Sequence, residues 1–407
     1  MKSVILVTIE KYYSSLLLAL FGFFSAKYMS IENFGLLTQV QVIVSIATIF
    51  ALSGVDQLVQ REFVNHNFTA NECLNTVALL KLACFLISYP ITTLFCIIVF
   101  DKNLAILVSV FYPYVLFVAL KVYASALICE GKFLKFLSIS AFISTISFVV
   151  KFLSIYYHSD IKIILFSILL ESLLYSLIFI FSFYSKRNKC DKSSISIILF
   201  KKYISEGKYL VLSGGMILIY TKVDQLMISK MLGLEYLAQY SVALKFITLY
   251  LLASSASSLA FAHKLSDKSE SLYKHCKQLI VISLVLGSLL SLLNYFFTPI
   301  LINWFYDEKF LIAKDYAKIM SPLIFFGFLL TSTGRLLVTF KLSKIALYRN
   351  TVALVFNIVL NFYFIPRVGV VGAIYTSIFC YLISSIIYIL IDSRSRIHFV
   401  KVFSESN

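Results

Sequence analysis

The sequence predicts an all-α polytopic membrane protein with about twelve transmembrane helices in two six-helix halves, and three observations carry that prediction. Of its 407 residues, 60% are hydrophobic and 14% charged, against roughly 45–50% and about 25% in soluble domains. A water-soluble core cannot hide that excess. The apolar residues are gathered into runs of about 20, the length at which a helix crosses a bilayer with its own backbone hydrogen bonds satisfied. A segment that follows the first run also recurs after the seventh.

The runs lie near 8–29, 35–58, 75–100, 104–128, 137–157, 163–184, 208–230, 237–261, 278–302, 317–339, 346–364 and 368–391. The first follows Lys2 but holds Glu10 and Lys11 and leads into eleven more, so it reads as a retained span and not a cleaved signal. Twenty-one of the 36 Lys and Arg fall at the ends and in the even-numbered connections, among them Arg61, Lys132, Lys135, Lys186, Lys264, Lys341, Arg349 and Arg394. Eight fall on the opposite side: Lys27, Lys102, Lys162, Lys230, Lys309, Lys314, Lys318 and Arg367. The excess of positive charge on one side places both termini in the cytoplasm.

The longest connection, 185–207, is basic and sits at the middle of the chain, where it reads as a linker. The expected organisation is an N-terminal six-helix lobe at 1–184, the cytoplasmic linker, a C-terminal six-helix lobe at 208–391 and a cytoplasmic tail at 392–407. Lys27-Tyr28-Met29-Ser30-Ile31-Glu32-Asn33-Phe34-Gly35 is echoed, 203 residues later, by Lys230-Met231-Leu232-Gly233-Leu234-Glu235-Tyr236-Leu237-Ala238. Lys132 and Lys135 are echoed more weakly by Lys341 and Lys344. Six spans per half is an even number, so the halves share one orientation and form a parallel repeat, with a site expected between them.

Several functions lose support at this level. The seven Cys form no CxxC pair and mostly lie within apolar runs, where free Cys behaves as a small core residue. The five His, including His66, His158, His263 and His398, are scattered through polar connections, so no metal site is expected. The net charge of +16 is spread over loops instead of gathered on a soluble basic face, which argues against nucleic acid. Gly131-Lys132 lacks the rest of a phosphate loop, and no cofactor is implied.

Seven cations fall within the runs: Lys11, Lys81, Lys121, Lys151, Lys222, Lys245 and Arg335. They are accompanied by four acids, Glu10, Asp56, Glu171 and Asp224. A charge at mid-bilayer costs about 2.5–3.5 kcal/mol on insertion scales and needs a partner, water or a route to the interface. Lys11, Lys81, Arg335 and Asp56 are near helix ends, where snorkelling suffices. Lys121, Lys151, Lys222, Asp224, Lys245 and Glu171 are deeper. They line a water-filled cavity or pair internally, as Lys222 or Lys245 with Asp224 or Glu171 would. Even complete pairing leaves three positive charges, which an anionic substrate would neutralise. Lys121 near Tyr123 and Ser125, and Tyr220 and Thr221 near Lys222, set ammonium groups beside hydroxyls, suitable for phosphate and sugar oxygens. The candidate substrate-binding set is Lys121, Lys151, Lys222, Lys245, Arg335 and Tyr123; Asp224 and Glu171 are the candidate ion-coupling carboxylates. Ala253–Ser258 reads as a close helix contact, and Gly214-Gly215 as a bending point.

Ile31-Glu32-Asn33-Phe34-Gly35-Leu36, Asp224-Gln225-Leu226-Met227-Ile228 leading into Leu232-Gly233, Tyr240-Ser241-Val242-Ala243, Asn357-Ile358-Val359-Leu360-Asn361 and Pro366-Arg367-Val368-Gly369-Val370-Val371-Gly372-Ala373 carry a resemblance over nearly the whole chain. Together they resemble the polysaccharide-transporter family, the O-antigen flippases of the MATE-like superfamily. The resemblance implies a V-shaped, twelve-helix protein of the Gram-negative inner membrane. It would move undecaprenyl-diphosphate-linked oligosaccharide repeat units from the cytoplasmic to the periplasmic leaflet by alternating access through a cationic cavity. It also implies coupling to a proton or sodium ion, contact with membrane lipids, and an O-antigen polymerase and chain-length regulator as candidate partners. The competing expectations are a MATE-like small-molecule exporter and a membrane enzyme of the O-antigen polymerase or ligase kind. The enzyme would need a long outer loop, and none here exceeds about 15 residues.

Overall fold

The computed structural model describes residues 2–51, 55–65, 68–157, 160–185, 195–261, 265, 272–340 and 342–404. Cys190, His66, His158, His263, Lys186, Arg187, Lys189, Lys192, Lys264, Lys268 and Lys341, which belong to the Cys, His and basic sets read from the sequence, lie outside these residues, as do the side chains of Lys2 and Arg61. Every regular element described is helical.

The first elements are α1 (Lys2–Tyr28), α2 (Ile31–Ala47) with a 3₁₀ turn at Thr48–Ala51, α3 (Val55–Asn65) and α4 (Ala70–Val99). Next come α5 (Lys102–Phe111), α6 (Pro113–Leu120), a 3₁₀ turn at Lys121–Tyr123, α7 (Ala124–Cys129), α8 (Phe133–Tyr156) and α9 (Ile161–Tyr184). α10 (Ile197–Tyr220), α11 (Val223–Met231), α12 (Leu234–Ala260) and α13 (Leu272–Tyr306) follow. A 3₁₀ turn at Asp307–Phe310 precedes α14 (Leu311–Ile319), α15 (Ser321–Thr339) and α16 (Ser343–Val368). The chain closes with α17 (Val370–Leu382), a π turn at Ile383–Ile387, α18 (Tyr388–Ile391) and α19 (Ser393–Ser404).

Among the described residues, ten helical stretches are long and apolar enough to cross a membrane, so the protein is a multi-pass membrane protein. Their outer faces are apolar. Leu86, Ile87, Ile91, Leu94 and Ile98 on α4 and Leu292, Phe296, Ile300 and Trp304 on α13 are exposed, a surface that lipid covers and water would not tolerate. The other two apolar runs, 8–29 and 208–230, are also helical, as α1 and as the α10–α11 pair.

Local chemistry sets the helix boundaries. Thr69 and Glu72 form a reciprocal capping box at the start of α4, and Asp101 accepts the Leu104 N–H at 2.7 Å to start α5. Pro113 occupies the first turn of α6, where a missing N–H costs nothing, and thereby divides the run 104–128. Gly233 (φ +109°) and Gly369 (φ +68°) reverse the chain between α11 and α12 and between α16 and α17, in backbone conformations open mainly to glycine. Residues 197–207, assigned to the linker from sequence, form the first turns of α10. That helix runs unbroken through Gly214-Gly215. Gly215 serves packing there, since a Cβ on it would lie 3.0 Å from Ile49 Cγ2, and the bend comes later at Thr221–Lys222.

By packing, the chain forms two compact units: residues 1–29 with 36–218, and 30–35 with 219–407. The core of the first gathers Val59, Leu74, Val77, Leu127, Phe179 and Tyr203. In the second, Asn294 bonds to the Ala317 carbonyl and to Ser321 Oγ, joining α13 to the α14–α15 junction. The helix boundaries repeat along the chain. α1 ends at Tyr28 and α2 begins at Ile31; 203 residues on, α11 ends at Met231 and α12 begins at Leu234.

Candidate functional site

In the first unit, charges from three helices and the turn after α6 converge. Lys121, in the turn after α6, has its Nζ 4.7 Å from the Tyr175 ring centroid on α9, and its electrostatic neighbours are Glu171, Lys151 and Glu10. Lys151 of α8 pairs directly with Glu171 of α9, and its ammonium also lies 5.5 Å over the Phe21 ring. Glu10 of α1 accepts from Ser14 at 3.1 Å and from Ser140 of α8. A second pair joins buried Lys81 of α4 to Asp56 of α3 at 2.5 Å, with the Ala119 carbonyl accepting from the same ammonium at 3.1 Å. Lys81 and Asp56 are therefore partners, and snorkelling is not needed to explain them. Lys151–Glu171 is an internal pair among the deep residues that the sequence alone did not single out. Helix register explains the omission: the two meet only once α8 and α9 lie side by side.

Tyr123 sits close to the ammonium groups in sequence, but its hydroxyl donates to Asn75 Oδ1 at 3.2 Å, an acceptor that Tyr184 also uses at 2.5 Å. Tyr123 is thus tied into the α4–α9 packing.

The second unit is organised differently. Asp224, in the first turn of α11 and 3% exposed, accepts from the Gln225 N–H at 2.7 Å, from Ser377 Oγ at 3.2 Å on α17, and from the Tyr240 hydroxyl on α12. Its negative charge near the start of a helix is favoured by the dipole. Lys222, two residues earlier at the helix N-cap, is an electrostatic neighbour of both Asp224 and Lys245. Lys245 lies with Nζ 4.3 Å over the Phe34 ring, and Arg335 donates from Nε to Ser258 at 3.2 Å. Ser254 meets Thr331 at 3.1 Å, so the small residues of 253–258 do mark a close α12–α15 contact.

Arg349 is the residue that sequence reasoning missed. It lay at the edge of an apolar run and was counted with the loop cations, yet α16 begins at Ser343 and carries Arg349 into the interior, 3% exposed. Its Nη1 donates to Thr333 at 3.2 Å, while Nε has no hydrogen-bond partner among the described residues. Arg349 is an electrostatic neighbour of Tyr220, which packs on Tyr381 at 6.1 Å between centroids, and Tyr381 in turn neighbours Asp224. The charge bookkeeping is therefore uneven. Among the described residues, Glu10, Asp56, Glu62 and Glu171 accompany the internal cations of the first unit, Glu62 pairing with Lys202 at 2.9 Å, whereas in the second Lys222, Lys245, Arg335 and Arg349 are accompanied by one internal acid, Asp224. Cations and hydroxyls in such a setting can hold phosphate and sugar oxygens.

The family model described as polysaccharide biosynthesis protein matches residues 1–261, well over half of the chain. The chain belongs to the polysaccharide biosynthesis protein family. Within that family its fold is the MATE-like one, and the MatE model matches residues 210–363. Among solved structures, the chain resembles the lipid II flippase MurJ in an inward closed conformation, with a TM-score of 0.73 and 19% identity over 99% of this chain and 90% of that one. It resembles an inward-facing MATE family multidrug resistance transporter of the MOP superfamily, with a TM-score of 0.70 and 15% identity over 97% and 96%. A MOP superfamily transporter from Pyrococcus furiosus gives 0.68 and 14% over 99% and 96%. No curated protein matches the sequence significantly. At these identities the structural likenesses speak for the fold of this family member; the family assignment rests on the sequence model.

Proposed function

We propose that the protein is a flippase that moves undecaprenyl-diphosphate-linked oligosaccharide units, of the O-antigen kind, from the cytoplasmic to the periplasmic leaflet of the inner membrane by alternating access. One observation carries the reading: a polysaccharide biosynthesis family member places four internal cations against one internal carboxylate among the described residues of its second unit. A diphosphate brings about two negative charges, and in a medium of low effective dielectric these offset the surplus far better than water does. The lipid tail has no need to leave the bilayer.

In this reading Lys222, Lys245, Arg335 and Arg349 hold the diphosphate and adjoining sugar oxygens in the second unit, and Lys121 and Lys151 are the candidate substrate-binding cations of the first. Asp224, already supplied with three donors, is the favoured seat of a coupling ion, and Glu171 the second. A MATE-like exporter of cationic drugs would bring positive charge to a positive interior, which argues against that alternative.

The test is complementation. In the source strain lacking its own flippase, wild type and Ala variants at Lys222, Lys245, Arg349 and Asp224 are supplied, membrane levels are matched, and long-chain lipopolysaccharide is scored on gels. Restoration by wild type and failure by the cation variants is expected. If the deletion strain still delivers lipid-linked units to the periplasm and leaves them unpolymerised, a polymerase or ligase reading replaces this one.

A further inference from the structure

A cavity of about 270 Å³ opens at the end of α7, away from the charge clusters just described. Its floor is part of the hydrophobic core of the first unit: Tyr123, Leu127, Phe179 and Phe183 are each buried, and Tyr123 and Phe183 meet edge to face at 5.5 Å between centroids. Its rim is polar. Glu130 and Lys132 pair at 2.5 Å across the Gly131 turn, and Ser182 of α9 accepts from Lys135 Nζ at 3.1 Å. The cleft is open on its polar side and closed by the tight aromatic core on the other, the form of a small-ligand site.

Three features select the occupant. The volume falls below the roughly 300–1,000 Å³ of sites for drug-sized ligands, which leaves room for about one six-membered sugar ring. The aromatic floor suits the C–H face of such a ring. The rim offers a carboxylate to accept, an ammonium to donate and a hydroxyl to do both, which matches ring hydroxyls. A phosphate headgroup fits less well, because Glu130 already neutralises Lys132 and would repel a second anion. An acyl chain would set apolar surface against a charged rim.

We infer that this α7–α9 pocket is a binding site for a single neutral pyranose, resting on the flippase reading for its source: one sugar of the lipid-linked unit, held on the face where Lys132 and Lys135 lie. By the distribution of Lys and Arg that face is cytoplasmic, so the sugar is engaged before it crosses. The pocket then contributes selectivity for the sugar, while the internal cations deal with the diphosphate.

The experiment uses the full chain in deuterated-lipid nanodiscs containing phosphatidylglycerol, with a panel of methyl glycosides of glucose, galactose and their N-acetylamino forms, read by saturation-transfer NMR. At least one glycoside should bind. Glu130→Gln should weaken it about tenfold, the scale of a lost hydrogen bond to a charged group, and Ser182→Leu, which fills the mouth, should abolish it. Both substitutions are at the rim, and an unchanged melting temperature certifies the fold. Silence across the whole panel overturns the inference, as does a signal that survives Ser182→Leu, or a phosphatidylglycerol headgroup found in the pocket by ³¹P contacts. Complementation separates the two readings. A restored ladder without sugar binding removes the pocket and keeps the flippase; pocket-dependent sugar binding without a ladder does the reverse.

Discussion

The Tyr240 hydroxyl donates to Asp224 Oδ2, joining α12 to α11 through two side chains that are both almost completely buried. An ionised carboxylate in that position depends on its donors, and Asp224 has two others, the Gln225 N–H and Ser377 Oγ. Tyr240→Phe keeps the ring and removes the donor. It should lower stability by about 1–3 kcal/mol, the cost of an under-satisfied buried acceptor. A melting curve in detergent reads this directly, and an unchanged midpoint would show that the hydroxyl does not support Asp224.

Lys151 and Glu171 form an internal ion pair in the first unit, with Lys151 the more buried partner. Removing one member of such a pair strands the other, at a cost of about 3–5 kcal/mol, whereas replacing both by apolar residues of similar size is often neutral. Lys151→Met should therefore destabilise strongly, and Lys151→Met with Glu171→Leu should recover most of the loss. A double-mutant cycle on the melting free energies checks it. Additive losses would mean that the two residues do not act as a pair.

Gly35 approaches Leu234 so closely that a Cβ built on it would lie 2.3 Å from the Leu234 carbonyl oxygen. Backbone cannot yield as a flexible side chain does. Gly35→Ala should thus reduce folded protein in the membrane, with a melting loss on the scale of an overpacked core, about 1–3 kcal/mol. Gly214→Ala, where a Cβ meets nothing within 4 Å, is the matched control and should be neutral or slightly stabilising. Equal behaviour of the two would show that the close approach is not what constrains position 35.

The apolar runs made the helices legible because lipid demands continuous hydrophobic length, and the echo of 27–35 at 230–238 foretold helix boundaries that recur at the same spacing. The run 104–128 concealed breaks at Pro113 and at Lys121–Tyr123, and of these only the proline could have been read as a signal. Partnerships were harder. Lys81 and Asp56 were each explained singly as snorkelling side chains, and Lys151–Glu171 depends on rotation of α8 against α9, which composition does not encode. Arg349 lies within the apolar run 346–364 and was grouped with the loop cations because it stands one turn from the start of that run; the helix begins at Ser343, which carries it into the interior.

Arg349 also offers the sharpest test of whether the positive interior serves substrate or structure. It is buried, with Thr333 as a neutral partner, one nitrogen unpartnered, and no acidic side chain paired with it among the described residues. A buried charge without a counterion costs several kcal/mol after relaxation. A residue kept at that cost for its charge should, when replaced by an apolar side chain of similar length, leave a more stable but inactive protein. Arg349→Met is accordingly expected to raise the melting temperature and to abolish the lipopolysaccharide ladder at normal membrane level. Arg349→Lys should keep the charge and part of the activity, limited by the lost planar donor geometry. A lower melting temperature for Arg349→Met with an intact ladder would assign Arg349 to helix packing, and the surplus positive charge of the second unit would then lose its most buried member.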